Sequence, residues 1–425
     1  MLLSLSNELV DSVIYFLDRK DIPSVRLVCR HLHKACQPRW EARVFDTLNF
    51  TLSETNIDEL ESIIQLATGR EEVRRIWFLS SEAFGAHLHW PRDADGFARL
   101  DSENVARIVR ILTKSFPNCT TVEVLRDYHH GAVRDETSLS AADVLSIIFH
   151  AMGLGMPPID HFFISLETVP AEMDLCRILP SSYSSPSFWE AWAKIKTLQL
   201  AIRLRANGDD AQIAADLVCR AKSLTRLQMR DTHGTVNRIC VFQCIKQAAS
   251  FPSLTHLKLD GISYLSPASL IALLDRVTNT LTHLSLQYLK LNGSAKEVFE
   301  YLKGSFGHLS AVSVHSMEQA IANQPIETTV IFFCPIRRKI TISMNGDDGF
   351  RVNDGWDRLS RRRFCVMGVW YRGPEMGHAL SLLSECMYLA SEPPANITEY
   401  SPDPPREFHE GYGDLELSTW KWNTA

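Results

Sequence analysis

At 425 residues the chain is too long for one compact core, so its length predicts two or three globular units or one elongated repeat array. Hydrophobic residues make up 45% and charged residues 22%, a balance that is ordinary for a globular protein and excludes a largely disordered chain. The net charge of -6 gives no electrostatic reason to expect a nucleic-acid partner, and no run approaches the roughly 18 apolar residues of a membrane helix. We therefore expect an intracellular protein, in the cytoplasm or the nucleus, with mostly buried and reduced cysteines.

The first 47 residues combine short helical segments with an excess of apolar side chains. Helical spacing links the first set of apolar positions, namely Leu9, Val10, Val13, Ile14 and Leu17. Phe16 widens this surface beyond the single stripe that one core needs, and Asp21 followed by Pro23 predicts the start of a second helix. A unit this small buries too little surface to be stable alone, so we expect it to pack on the rest of the chain or on another protein.

The order of these residues resembles the F-box family. The family motif opens with Leu-Pro-x-Glu-Leu and later carries Val-Cys-Arg and a distal Trp; this chain has Leu5-Ser-Asn-Glu-Leu9, Val28-Cys29-Arg30 and Trp40. Ser6 stands where the family usually has Pro, and the resemblance covers about a tenth of the chain. It implies a three-helix module that binds the small Skp-family adaptor, which links it to a cullin, a RING protein and a ubiquitin-conjugating enzyme.

The resemblance also implies which residues contact the adaptor, although some of them must form the core of the module itself. By position they are Leu5, Leu9, Val13, Ile14, Leu17, Ile22, Val25, Val28 and Trp40. An alternative is that these helices only cap the repeat array that follows, since the ends of a solenoid need covering.

A pattern of apolar-x-x-apolar-x-apolar residues recurs through residues 48–324. The clear copies are 27 to 30 residues apart and begin at Ile195, Leu224, Leu254, Leu281 and Leu309, with looser copies at Val73, Cys119 and Ile159. Helix starts are predicted between copies, at Ser266-Pro267, at Ser294 with Glu297, and at Ser140 with Asp143. One strand and one helix per unit resembles a leucine-rich repeat, so we expect an α/β fold: a three-helix F-box followed by an irregular leucine-rich-repeat-like solenoid.

Strand alternation places the repeated leucines inside and the residues between them on the opposite face of the sheet. We expect this outward face to bind a target protein. The candidate residues are Trp77, Phe163, Gln199, Arg226, Gln228, Arg230, His256, Lys258, Asp260, His283 and Gln287.

The repeat pattern is lost near the C-terminus. Residues 325–392 predict an aperiodic α/β closing segment, with strands at 340–342 and 364–370 and a helix at 375–389. Residues 393–425 form a Pro-rich acidic tail that we expect to be extended, although Trp420 and Trp422 favour packing back onto the body.

No motif of the common enzyme classes appears, including phosphate-binding loops, dinucleotide fingerprints and metal helices. Cys240 and Cys244 lie four residues apart but have no second pair of ligands, so we expect core cysteines, no metal and no cofactor. The sequence favours a non-catalytic subunit of a Skp-cullin-F-box ubiquitin ligase that recognises an unknown target, without a nucleic-acid or membrane partner. Two alternatives remain: a scaffold that assembles no ligase, and an enzyme with a divergent site in 325–392.

Overall fold

A computed structural model describes most of the chain. The described residues are 7–17, 21–65, 67–80, 84–86, 88–126, 137–165, 175, 178–201, 208–230, 239–320, 327–333, 349–353, 365–366, 368–373 and 376–389. The predicted strand at 340–342, the tail at 393–425 and Leu5 lie outside them. Within these ranges no helix is both long enough and apolar enough to span a bilayer.

Three helices open the chain: α1 (Asn7–Phe16), α2 (Ile22–Arg26) and α3 (Arg30–Val44). They enclose a small core of their own, formed by Val10, Ile14, Ile22, Leu32 and Cys36. This cluster is separate from the large core of the rest of the protein. Residues 7–44 therefore form a distinct packing unit.

The body is built on one large sheet whose first nine strands are parallel and follow chain order. These strands are β1 (Thr47–Phe50), β2 (Arg75–Ser80), β3 (Thr121–Arg126), β4 (His161–Ser165), β5 (Thr197–Ala201), β6 (Arg226–Arg230), β7 (His256–Asp260), β8 (His283–Gln287) and β10 (Ala311–His315). Each strand pairs with the next without a shift in register, so Gln199, Gln228 and Lys258 lie side by side. The sheet is completed by two antiparallel strands, β15 (Gly368–Arg372) and β13 (Gly349–Asn353).

Helices connect most of these strands, because parallel neighbours need a crossover. They are α4 (Glu54–Gln65), α5 (Ala67–Glu72), α6 (Glu103–Lys114), α7 (Ala141–Gly153), α8 (Pro180–Tyr183), α9 (Pro186–Trp192), α10 (Gly208–Arg220), α11 (Ile239–Gln247), α12 (Pro267–Asp275) and α13 (Ala295–Ser305). Near the C-terminus α14 (Met376–Cys386) packs beside α13. Buried helix residues such as Val105 and Leu270 share one core with the leucines of a single sheet face, such as Leu198 and Leu257.

A second, smaller sheet lies beyond the ends of the last repeats. Its strands are β9 (Lys290–Asn292), β11 (Glu318–Ala320), β12 (Glu327–Phe333), β14 (Cys365–Val366) and β16 (Met387–Leu389). The chain turns out of the large sheet through a left-handed residue at the same point three times, at Gly261, Tyr288 and Ser316 with φ of 67°, 50° and 47°. Only Gly adopts this conformation without steric cost, so two of the three turns are locally strained.

The predicted mixed α/β class with N-terminal helices is confirmed. Two helix starts are also confirmed: Ser140 and Asp143 form a reciprocal capping box, and Ser266 accepts a hydrogen bond from the Ser269 amide. The helix start at Ser294 is confirmed as well, but Ser294 makes no side-chain capping hydrogen bond, so the capping box predicted from its pairing with Glu297 is wrong. The Gln319 side chain of β11 accepts from the Ala295 amide instead, at 2.9 Å.

Candidate functional site

Helix α1 carries two adjacent apolar stripes with opposite surroundings. Val10 and Ile14 are 0% and 2% exposed inside the three-helix core, and Leu17 packs against the same core. One position earlier in each case, Leu9, Val13 and Phe16 are 54%, 43% and 82% exposed. The spacing of four and then three residues keeps each set on one side of the helix. The helix is therefore apolar on a side that the chain leaves uncovered.

More apolar side chains are exposed in the turn between α2 and α3. Leu27 is 86% exposed and Val28 is 69% exposed, although leucine and valine are among the residues most often buried in folded proteins. Together with Tyr15 on α1, these residues make up the exposed apolar set: Leu9, Val13, Tyr15, Phe16, Leu27 and Val28. Among the described residues only Leu154 and Tyr288 are large hydrophobic side chains of comparable exposure outside it. Such a concentration is typical of an interaction surface.

An aromatic contact fixes α2 against α3 and joins the module to the body. The guanidinium of Arg26 lies 3.7 Å above the Trp40 ring and donates a hydrogen bond to Gln37 Oε1 at 2.6 Å. Trp40 also meets the Phe45 ring edge to face at 5.7 Å, and Phe45 packs against the core of the body. These contacts hold the turn that presents Leu27 and Val28.

The structure divides the nine predicted adaptor contacts into separate groups. Leu9, Val13 and Val28 are exposed, whereas Leu17, Val25 and Trp40 are half-buried against the module's own core. Ile14 and Ile22, at 2% and 1% exposure, lie inside that core and present no surface to a partner in this arrangement. Leu5 lies outside the described residues.

Tyr15, Phe16 and Leu27 belong to the exposed apolar set but were not among the predicted contacts. A sequence signal for Phe16 existed, because it follows Leu9 and Val13 at helical spacing. Leu27 had no such signal, because it lies in the turn after α2, where the Leu27 amide donates to the Ser24 carbonyl and the Val28 amide to the Val25 carbonyl.

The second candidate surface is the sheet face opposite the core, which we call the open face. In-register pairing arranges its side chains in three rows that cross the strands. The first row holds Arg75, Thr121, His161, Thr197, Arg226, His256, His283, Ala311 and Arg372. The middle row holds Trp77, Glu123, Phe163, Gln199, Gln228, Lys258, Ser285 and Ser313, and the third row Leu79, Leu125, Ser165, Ala201, Arg230, Asp260, Gln287 and His315.

All eleven predicted target-binding residues lie on this face, but they are not equally accessible. Asp260 and Gln287 were expected to be exposed and are buried, at 6% and 7% exposure. Asp260 lies between two cations, with Arg230 Nε at 3.6 Å and Lys258 Nζ at 3.9 Å, so its carboxylate is occupied within the sheet. The other nine are half-buried, as expected for side chains standing between neighbours on a sheet.

Burial changes the proton affinities on the open face. It lowers the pKa of His256 to about 4, with further lowering by His283 and Arg226. Burial also lowers the pKa of His161, His283 and His315, which favours the neutral form of these imidazoles. Burial raises the pKa of Glu123, which lies in register between Trp77 and Phe163.

Within the described ranges, no three His, Cys, Asp or Glu side chains come together as a metal site would require. Cys244 is half-buried and packs against the main core, whereas the side chain of Cys240 lies outside the described set.

In a comparison with known families, the F-box domain matches residues 2–39. No curated protein matches the chain. The matched segment covers α1, α2 and most of α3, the helices that enclose the small core and carry the exposed apolar set. F-box domains are the modules through which Skp-family adaptors are bound, and the exposed side chains of this segment are apolar as such a contact requires. The chain therefore carries an F-box domain in its N-terminal helices.

Proposed function

We propose that this protein is a non-catalytic substrate-recognition subunit of a Skp-cullin-F-box ubiquitin ligase. The exposed apolar set docks on the Skp-family adaptor, and the open face of the body binds the target. The body acts as an irregular leucine-rich-repeat-like solenoid, which its in-register parallel strands and intervening helices support. Ubiquitin transfer then depends on proximity, because a held target lysine meets the conjugating enzyme at a high effective concentration.

The observation that carries this proposal is the exposure of six large apolar side chains within residues 9–28. A module that served only to cap the body would turn these side chains onto it. Full burial of one such side chain contributes about 1.5–3 kcal/mol to the folding free energy, and this contribution is lost when the side chain stays in water. Instead the module buries a separate set of residues in its own core. Its surplus apolar surface favours an external partner over the alternative of a scaffold cap.

Capture of the purified Skp-family adaptor tests the proposal. Leu27→Ala shortens a side chain that is 86% exposed, so the fold should survive while the adaptor binds about tenfold more weakly. Leu154→Ala is the matched control, because it makes the same change at a 58% exposed position in the body. Equal capture by both variants, together with wild-type capture by Phe16→Ala, would refute adaptor docking through this set.

A further inference from the structure

One row of the open face carries cationic and imidazole side chains and no carboxylate. From β2 to β15 the first row includes Arg75, Arg226 and Arg372, with His161, His256 and His283 between them. The remaining members of this row are Thr121, Thr197 and Ala311, which are neutral. A carboxylate-bearing ligand lying along this row would meet no repulsive charge from it.

The described strand residues of the open face carry more cations than carboxylates, although the whole chain is negative. Among the described strand residues of the three rows from β2 to β15, the charged side chains comprise two carboxylates, Glu123 and Asp260, and five cations: Arg75, Arg226, Arg230, Lys258 and Arg372. The whole chain has a net charge of -6, so its negative charge lies elsewhere. Asp260 is held by Arg230 and Lys258, and burial raises the pKa of Glu123, which favours its neutral form. The open face is thus a basic region on an acidic protein, an arrangement that selects ligands by charge.

The C-terminal half of the first row is held in a fixed arrangement. The rings of His256 and His283 stack with centroids 4.1 Å apart and an interplanar angle of 8°. A threonine hydroxyl holds each ring at Nδ1: Thr255 Oγ1 lies 2.9 Å from His256 and Thr282 Oγ1 lies 2.8 Å from His283. Because these rings cannot rotate freely, little side-chain entropy remains to be lost when a ligand binds.

The length of the row suits an extended peptide. Arg226 and Arg372 are separated by four strand spacings, which is about 19 Å at roughly 4.8 Å per strand. An extended segment of about six residues spans the same distance at roughly 3.3 Å per residue. Arginine forms bidentate contacts with carboxylates, and a neutral imidazole can take up a proton when an anion approaches.

We propose that the open face binds a carboxylate-rich segment of a target protein, which lies across the strands along the row from Arg226 to Arg372. This inference rests on the proposed function, since it names the chemistry of the target that the ligase would select. Affinity should fall as salt rises, because the ligand is attracted mainly by charge on a partly exposed surface.

The test uses the full chain and a fluorescein-labelled decapeptide of glutamate as the probe, followed by fluorescence anisotropy. Arg226→Gln combined with Arg372→Gln removes two positive charges from the row, and binding should be about tenfold weaker. Arg110→Gln combined with Lys303→Gln is the matched control, because it removes two positive charges from exposed positions on α6 and α13. The control should bind like the parent, and a glutamine decapeptide should not bind.

The proposal would be overturned if peptide binding were weakened equally in the Arg226→Gln, Arg372→Gln double variant and in the control. It would also be overturned if a single-stranded oligonucleotide of equal charge bound more tightly than the glutamate decapeptide. Binding that appears only after deletion of 393–425 would also overturn it, because the occupant would then be the chain's own acidic tail. Capture of the Skp-family adaptor is measured on the same variants, and Leu27→Ala is included in the peptide assay. If the parent protein binds the peptide but does not capture the adaptor, the ligase function alone is contradicted. If the parent captures the adaptor but does not bind the peptide, the peptide site alone is contradicted.

Discussion

Neighbouring residues of α1 have different roles although their chemistry is similar. Ile14 is 2% exposed in the module core, and Phe16, two positions later, is 82% exposed. Both are large apolar side chains, so hydrophobicity alone does not separate a packing residue from a binding residue. The side of the helix on which each side chain lies makes the difference.

Two alanine substitutions on α1 should separate stability from binding. Ile14→Ala creates a cavity in the small core and should destabilise the module by about 2–4 kcal/mol. Phe16→Ala should leave stability nearly unchanged and weaken adaptor capture. Native-state hydrogen exchange of residues 7–44 measures the first effect and a pull-down measures the second. Faster exchange in Phe16→Ala than in Ile14→Ala would contradict this assignment.

At the scale of elements, a buried ion pair fixes the start of α7. Arg92 Nη2 lies 3.1 Å from Asp143 Oδ2, with side-chain exposures of 11% and 7%. Asp143 also accepts hydrogen bonds from the Ser140 amide and hydroxyl at 2.9 and 2.8 Å. The same carboxylate therefore caps the helix and ties it to the segment around Arg92.

Arg92→Leu should destabilise the protein by about 3 kcal/mol, because it leaves the Asp143 carboxylate buried with its main charge partner removed. Arg99→Leu is the matched control: its ion pair with Asp101 is exposed at 53% and 69%, so stability should change little. Thermal and urea unfolding of the two variants provide the measurement. Similar unfolding midpoints for both would show that the buried pair is not important for stability.

Elements whose signal is local were predictable from the sequence. The strands that begin near Leu224, Leu254 and Leu281 form as expected, because their leucines recur with the repeat and all point into one core. The second position of each of these copies carries a hydroxyl, which the apolar pattern does not explain. This hydroxyl donates a hydrogen bond to the preceding repeat; Thr282 Oγ1, for example, donates to the Thr255 carbonyl at 2.9 Å. The short strands β9 and β11 were missed, since three residues are too few to show alternation.

Features that depend on distant contacts were not predictable. The N-terminus of α13 is capped by the Gln319 side chain, which accepts a hydrogen bond from the Ala295 amide although the two residues are 24 positions apart. For the candidate site, the motif predicted the module but not which of its apolar residues face outward, because that depends on how α2 packs against α3. The grouping of charged side chains on the open face depends on how neighbouring strands pair. The sequence of one strand, such as 256–260, does not show which side chains of the next strands will lie beside its own.

At the scale of the whole molecule, the protein combines two packing units with different surfaces. The module has an apolar exterior and its own core, whereas the body has a basic sheet face within an acidic chain. Two partners of different chemistry can therefore bind without competing for the same residues. This separation fits the proposed adaptor function, in which the ligase contact would not depend on the target.

The histidines of the open face should make the stability of the protein depend on pH. Burial lowers the pKa of His256 to about 4 from 6.5, so the unfolded chain binds a proton that the folded protein does not. The free energy of unfolding is therefore unaffected by His256 above about pH 6.5 and decreases as the pH falls towards 4. At pH 5.5 protonation of His256 alone should lower the free energy of unfolding by about 1 kcal/mol, after allowance for its partial exposure.

Glu123 and Asp260 change the stability in the opposite direction at low pH, because burial raises their pKa values from 4.5 and 3.8. The effect of His256 is therefore best measured between pH 7.5 and 5.5. His256→Gln removes the titrating group and keeps a polar side chain of similar size, so it should reduce the loss of Tm over this range. His89→Gln is the matched control, since it makes the same substitution at an exposed position. A pH dependence that is identical in the parent and in His256→Gln would show that this imidazole is solvated rather than desolvated in the sheet.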